Sequence, residues 1–176
     1  MKAFLAEFDK ECTSQLFGEA EFPDEWLEKD VFSPCEFFLC KIDLADFGGR
    51  LLPDNGYLYI FIDMPSSIKK AKVKLRFYAD EPDACTDFND GFFDCYCEEA
   101  SIVKDDCGDL GEVIVNEEKG DDLIIFSVSG ESLPEDLNLE RISVVIDKHS
   151  LQVGDYSRAR LVFLIYFLLI FNRRFI

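Results

Sequence analysis

The sequence predicts an α+β fold, largely an antiparallel β-sheet, with a short N-terminal helix and an internal strand-loop-strand duplication. Residues 36–44 and 56–63 are apolar and β-prone, and they flank a loop rich in Gly, Pro, Asn and Asp. This pattern is typical of two strands joined by a turn-rich connection. Residues 70–78 alternate between apolar and basic side chains, as expected of a half-buried strand. A similar strand-loop-strand pattern returns over 142–165.

The length of 176 residues predicts a single domain spanning 1–176. Within it we expect repeat-like halves around 36–63 and 140–165. The Ile-Asp pair that ends at Asp43 recurs at Asp147, and an apolar strand follows each acid after a loop of similar length. Matching character at near-equal spacing favours a duplicated unit. Chance is the alternative, because apolar strands resemble one another.

The first thirty residues predict a helix and an aromatic anchor. Apolar side chains over residues 2–15 share one helical face, namely Phe4, Leu5, Phe8 and Cys12. We therefore expect a short amphipathic helix there. Trp26, the single Trp, follows a Phe-Pro pair, and its expected role is to anchor the core rather than to stack on a ligand.

The C-terminal half predicts further strands. Residues 112–115 and 123–128 indicate a hairpin joined through 116–122, and residues 142–146 indicate a strand that ends at an acid. Residues 161–171 are apolar throughout. This run is too short for a spanning helix, which needs about 20 residues, so a buried strand is favoured and a membrane-inserted tail is the alternative.

The charge balance restricts the partners. The formal net charge is −18, from 36 acidic against 18 basic residues. Such a chain repels nucleic-acid phosphates and anionic membrane surfaces, so neither is an expected partner. It suits a basic protein or a divalent cation. The alternative is that acidity keeps a Phe-rich chain soluble.

The cysteines predict a reduced compartment. The seven are odd in number, and the N-terminus carries acids too early for a signal peptide. We therefore expect a cytoplasmic protein with free thiols.

Residues 80–109 hold the candidate metal sites. Four thiols are candidate zinc ligands, namely Cys85, Cys95, Cys97 and Cys107. Cys95 and Cys97 would share one side of a strand. However, a Cys-x-Cys pair chelates zinc poorly, and the surrounding acids oppose thiolate formation, so free or buried thiols are the alternative. Residues 87–91 resemble the start of a calcium loop, but the register fails for an EF-hand and leaves only a looser acidic cation site.

Catalysis has little support in the sequence. The only His, His149, follows Asp147 and stands beside Ser150, without a defined nucleophilic partner. No phosphate-binding or dinucleotide-binding Gly pattern is present. Asp43, Asp147 and Asp155 are further candidate site residues. For the first two, capping of a turn by hydrogen bonds to backbone N–H groups is favoured over a shared site.

Several of these segments resemble the YwqG-like family of uncharacterised bacterial proteins. Residues 38–44 read FLCKIDL and residues 56–63 read GYLYIFID, and both are similar to phrases of that family. Residues 142–147 and 154–165 resemble a later phrase, and Trp26 matches an early aromatic. The resemblance implies a bacterial protein with an α+β fold and a mostly antiparallel sheet, and it implies no catalytic residues. The chain departs from the family at 17–23 and in its apolar C-terminal end.

These observations favour a non-enzymatic interaction protein whose acidic surface binds a basic partner, such as a toxin that it neutralises. The alternative is a small-ligand or metal-binding domain that uses residues 80–109, with zinc or calcium as the ion. An uncharacterised hydrolase ranks last, because the sequence contains no coherent catalytic set.

Overall fold

The computed structural model describes residues 1–28, 32–49, 51–89, 92, 99–104, 110–137 and 139–165. The strands are, in chain order, β1 (Lys2–Glu7), β2 (Gln15–Leu16), β3 (Glu19–Phe22), β4 (Glu36–Asp43), β5 (Tyr57–Asp63), β6 (Lys72–Tyr78), β7 (Ala84–Asp87), β8 (Ala100–Val103), β9 (Gly111–Lys119), β10 (Asp122–Ser129), β11 (Leu139–Asp147) and β12 (Arg160–Ile165). The α-helices are short: α1 (Asp24–Glu28), α2 (Leu44–Phe47) and α3 (Lys148–Gln152). Single turns of 3₁₀ helix cover Ile68–Lys70, Gly130–Ser132, Glu135–Leu137 and Tyr156–Arg158.

Ten of these strands form one antiparallel sheet. Their order is β12-β11-β10-β9-β1-β8-β2-β4-β5-β6, and β3 and β7 form a separate antiparallel pair. The two end strands, β12 and β6, come into contact, so the sheet curls until it is nearly closed. The predicted fold class is confirmed in its main part, a largely antiparallel sheet with a few short helices.

The concave side of the curled sheet holds the main core. In β5, Leu58, Ile60 and Ile62 point into this core, and they alternate with Tyr57, Tyr59 and Phe61, which point outward. Both sets are buried, because β3, β7 and α1 lie over the outer side of β4, β5 and β6. The continuous apolar character of β5 follows from this two-sided burial.

The strands predicted near the middle of the chain are confirmed. Residues 36–44 form β4, residues 56–63 form β5 and residues 70–78 form β6, each within two residues of the predicted bounds. The basic side of β6 faces carboxylates of the protein itself. Lys74 and Arg76 both form ion pairs with Glu36.

The predicted N-terminal helix over 2–15 is wrong, because its first residues form β1. Ala3 and Leu5 are buried and alternate with more exposed neighbours, which is the period of a strand. β1 lies between β8 and β9, and both neighbours supply backbone hydrogen-bond partners. Pairing along two edges therefore overrides the helical spacing of Phe4, Leu5 and Phe8.

The C-terminal strands are confirmed with corrected bounds. The hairpin is β9 and β10, and it turns through Gly120 and Asp121 rather than through the seven residues 116–122. Gly120 has a φ of 63°, which a tight turn between two strands requires. The predicted strand over 142–146 is β11. The run 161–171 begins as β12, but the expected burial is wrong for its outward side, because Val162 and Leu164 are 49% and 55% exposed. Residues 166–171 lie outside the described part.

No helix among the described residues has the length and apolar character needed to cross a membrane. The duplication, in contrast, is not confirmed. β4 and β11 each end in Asp, continue into a short helix and pair with the next strand of the large sheet. The likeness is local, because β5 has neighbours on both sides whereas β12 ends the sheet.

Candidate functional site

The β3–β7 pair carries acids on one side and apolar residues on the other. Along β3, Ala20 and Phe22 are fully buried, whereas Glu19 and Glu21 are exposed. This alternation places the apolar pair against β4 and β5 and leaves both carboxylates in water. The small sheet is therefore a cover with an acidic outer surface.

Beneath this cover lies an aromatic cluster. Its rings are within contact distance of one another and comprise Phe22, Phe32, Phe38, Tyr59, Phe61 and Phe88. The ring centroids of Phe22 and Phe38 are 5.2 Å apart, at an interplanar angle of 78°. Such edge-to-face pairs add to the stabilisation from area burial.

Trp26 of α1 packs at the margin of this cluster. Its ring centroid lies 5.2 Å from that of Tyr59 and 5.8 Å from that of Tyr78. The predicted anchoring role is confirmed. Trp26 and Tyr78 both keep part of their surface exposed, so they also border the acidic surface above.

We define the acidic face as the exposed carboxylates of β3, α1 and the β6–β7 connection: Glu19, Glu21, Asp24, Glu25, Asp80, Glu81 and Asp83. The backbone N–H of Asp24 donates to Asp83 Oδ1 at 2.9 Å, which joins α1 to the connection. Partial burial raises the pKa of Tyr78, and the nearby charges of Asp80, Asp83 and Glu25 raise it further. These groups therefore share one electrostatic environment.

Two buried tyrosines connect the cluster to the acidic face. The hydroxyl of Tyr57 donates to Glu81 Oε2 at 2.7 Å, and that of Tyr59 donates to the backbone oxygen of Glu21 at 2.8 Å. Burial, followed by the surrounding carboxylates, raises the pKa of both phenols well above the ordinary value. Both tyrosines therefore remain neutral donors at physiological pH.

Lys41 is a buried cation under the acidic face. Its side chain is 3% exposed, and its Nζ donates to Glu21 Oε2 at 3.2 Å. The same Nζ lies 5.3 Å from the ring centroid of Tyr57. Since a buried ammonium requires a partner, Lys41 fixes the position of Glu21.

A second ionic cluster supports the other end of the covered strands. The fully buried carboxylate of Glu36 accepts from Lys74 at 2.7 Å and from Arg76, whose guanidinium stacks on Phe32 and Phe61. Burial opposes ionisation of Glu36, but the hydrogen bonds from both cations prevail and hold its pKa below the ordinary value.

The structure describes one of the four proposed zinc ligands. Cys85 is exposed on β7 opposite Glu21, while Cys95, Cys97 and Cys107 lie outside the described residues. Partial burial raises the pKa of the Cys85 thiol, and Glu19 and Glu21 raise it further, so the thiolate is disfavoured. Within the described ranges, no three His, Cys, Asp or Glu side chains are grouped to hold a metal ion.

Asn89 has a structural role in the loop proposed as a looser cation site. Its Oδ1 accepts from the backbone N–H of Phe38, and its Nδ2 donates to the backbone oxygen of Phe38, both at 2.8 Å. Asn89 thus continues the pairing of β4 beyond the short strand β2. Asp90 and Gly91 lie outside the described residues, so this cation site stays a prediction.

Asp43 and Asp147 cap helices in different parts of the sheet. Asp43 Oδ1 accepts from the N–H of Ala45, and Asp147 Oδ1 accepts from the N–H of Ser150, both at 2.8 Å. Asp43 lies opposite Tyr57 and accepts from Thr13, whereas Asp147 lies opposite Asp122, so the two acids have different neighbours. The capping interpretation is confirmed.

The remaining candidates form local contacts. Asp155 accepts from Ser157 Oγ and lies 3.6 Å from Arg158 Nε, within one turn of 3₁₀ helix. His149 is exposed on α3, and the hydroxyl of the adjacent Ser150 donates to Asp147 Oδ2 at 2.7 Å. Ser150 therefore supports the helix cap rather than a Ser-His pair.

No protein-family model matches the chain, and no curated protein matches it either. The resemblance to the YwqG-like family accordingly stays a prediction, and the site rests on its own geometry.

The acids after residue 80 stand out in the sequence, but those of β3 and α1 do not. The signal for the latter was the short alternation over 19–22, which places two acids on one side of a strand. The local sequence does not indicate which strand pairs with this one, because β3 pairs with β7, more than sixty residues later in the chain. Lys41 was read as part of an apolar strand, although its ion pair supports the face.

Proposed function

We propose that the protein is a non-enzymatic, cytoplasmic interaction module whose acidic face binds a basic protein. The observation that supports this most directly is the convergence of seven exposed carboxylates, from two distant chain segments (19–25 and 80–83), on the cover above Tyr57, Tyr59 and Tyr78. A basic toxin that is neutralised on binding is one partner with the required chemistry.

The rigid support beneath the carboxylates favours recognition over simple solubility. Glu21 is positioned by Lys41, Glu81 by the hydroxyl of Tyr57, and Asp83 by the backbone N–H of Asp24. Carboxylates held in this way lose less side-chain entropy when a cation binds than mobile surface acids do. They also produce a local field that speeds the encounter with a basic surface.

The partly exposed rings at the margin add a second means of binding cations. Trp26 and Tyr78 lie beside Glu25, Asp80 and Asp83. An arginine or lysine of the partner gains both a carboxylate contact and a cation–π contact there. A carboxylate contact and a cation–π contact are thus available side by side at this margin.

The test compares two triple variants with equal charge change. One carries Glu19→Gln, Asp80→Asn and Asp83→Asn on the acidic face. The other carries Glu131→Gln, Glu135→Gln and Glu140→Gln, three exposed acids at the start of β11 and in the turns before it. Binding of a fluorescent Lys-rich peptide is measured by anisotropy at low and moderate salt.

We expect the acidic-face variant to bind the peptide about tenfold more weakly, from a loss of roughly 0.5 kcal/mol for each removed carboxylate. The control variant should retain most of the affinity. Equal weakening of both variants would show that the peptide responds to net charge alone, which contradicts the proposal.

A further inference from the structure

A second surface of the protein has the sequence of a core but is exposed. β12 reads RLVFLI, an apolar run comparable to that of β5, yet its outward side chains Val162 and Leu164 are 49% and 55% exposed. In β5 the outward Tyr59 and Phe61 are fully buried. Strands that are apolar on both sides are typically buried on both sides.

The exposed residues belong to a continuous surface. We define the open face as the outward side of β1, β9, β10, β11 and β12. Its apolar members are the exposed Val162 and Leu164, the half-buried Phe4, Ile114 and Ile124, and the buried Val145, and the register places them on the outward side of adjoining strands. A groove of about 360 Å³ runs across it, with Ile124, Val145 and Val162 in its lining.

The charge of the open face differs from that of the whole chain. Its basic residues are Lys2, Lys119, Arg141 and Arg160, and its acidic residues are Glu112, Glu117, Asp122 and Asp147. Arg160 pairs with Asp122 at 2.8 Å, and Lys2 pairs with Glu112. A protein with a net charge of −18 thus has one broad surface that is close to neutral.

We propose that the open face is the surface through which two copies of this chain associate. Elsewhere two copies repel each other strongly, whereas on this face the Coulomb cost is small and apolar side chains are available to bury. A symmetric pairing places the same face on both sides, so the Arg160–Asp122 ion pair of one copy meets a face that also carries both signs of charge.

The area of the open face sets the affinity that we expect between two copies. Five strands about 4.8 Å apart and about 20 Å long give a patch of roughly 400 Å² in projection. Two such patches bury roughly 800 Å² in total, which is below the size of most stable interfaces, so we expect a weak association with a dissociation constant of about 10–100 μM. Moderate salt should strengthen the association, because it screens the repulsion between two copies of net charge −18.

The test is sedimentation equilibrium of the full chain from about 1 μM to about 500 μM, bracketing that constant, at low and moderate salt. Val162→Asp introduces a charge on the open face. Val153→Asp introduces the same charge at an equally exposed Val after α3, where the side chain is 64% exposed. Circular dichroism checks the fold of each variant, and Val162→Thr provides a milder change of the same site.

We expect wild type and Val153→Asp to reach twice the mass of 20.2 kDa at high concentration, more readily in salt. Val162→Asp should stay monomeric, and Val162→Thr should associate about tenfold more weakly because it loses apolar burial on both copies. A wild-type monomer at every concentration would overturn the proposal and assign the open face to another occupant, such as the residues after Ile165. Unchanged association of both Val162 variants would overturn it as well.

Discussion

The outer sides of the two ends of the sheet differ in what lies over them. On β4, β5 and β6 the outward residues Phe38, Tyr59 and Phe61 are fully buried beneath β3, β7 and α1. On β12 the outward Val162 and Leu164 are about half exposed. β5 and β12 are both continuous apolar runs, so such a run alone does not decide whether the outer side of a strand becomes core.

Whether the outer side of a strand becomes core depends on the segments that cover it. The cover of the first end has two kinds of surface, since Ala20 and Phe22 complete the aromatic cluster and Glu19 and Glu21 face water. The cover thereby buries the apolar outer side of the sheet and exposes the acidic face to water. At the second end, an apolar surface remains for a partner of complementary character.

The largest expected effect comes from removing a ring on the covered side. Phe61→Ala removes contacts with Phe22, Phe32, Phe38 and Phe88, so the free energy of unfolding should fall by about 3–5 kcal/mol. The matched change Leu164→Ala, on the open face, should cost less than about 0.5 kcal/mol. Denaturant unfolding in dilute, monomeric solution measures both, and equal losses would mean that the two sides are packed alike.

The buried carboxylate of the covered side should give the next largest effect. Glu36→Gln leaves Lys74 and Arg76 without their buried anion and should lower the free energy of unfolding by about 3 kcal/mol. The exposed pair of Arg160 and Asp122 on the open face offers the comparison. There Asp122→Asn should cost about 0.5 kcal/mol.

The effect of Glu36 should depend on pH. Its folded-state pKa is below the ordinary 4.5, so its ion pairs contribute stability above that pH and lose it as the pH falls through the lowered folded value. The difference between wild type and Glu36→Gln should therefore be constant near neutral pH and shrink below about pH 4.5. A difference that grows in acid would contradict the assigned ion pairs.

A smaller loss of stability should follow from removing the hydrogen bonds between β4 and the segment after β7. Asn89→Ala leaves the buried N–H and C=O of Phe38 without the two hydrogen bonds from Asn89, at a cost of about 2 kcal/mol. Asn55→Ala, in an exposed turn, should cost less than about 0.5 kcal/mol. Thermal unfolding measures the stability of both variants. An Asn89→Ala variant as stable as wild type would show that these two hydrogen bonds do not hold the segment after β7 against β4.

The parts of the fold that could be predicted from the sequence are those set by local pattern. The turn-rich loop after Asp43 and the alternation over 70–78 located β4, β5 and β6 to within two residues. β1 was missed because its periodicity is ambiguous over six residues, and its pairing with β8 and β9 depends on segments about a hundred residues away. Long-range pairing of this kind leaves no local signal.

The candidate site likewise has parts that the local sequence predicts and parts that depend on tertiary contacts. The caps at Asp43 and Asp147 were expected, because a carboxylate at a strand end binds the next N–H groups whatever the distant chain does. The acidic face was not located, since it joins β3, α1 and the β6–β7 connection through tertiary contacts. The proposed thiol site was tested at Cys85 alone, because the other three cysteines lie outside the described residues.

Hydroxyl-radical footprinting at low and high protein concentration tests the difference between the two outer sides most directly. We expect Phe38 and Phe61 to be protected at both concentrations, because the cover belongs to the same chain. Val162 and Leu164 should be modified in dilute solution and protected in concentrated solution, where a second copy covers them. Strong modification of Phe61 in dilute solution, or modification of Leu164 that does not change with concentration, would contradict the account.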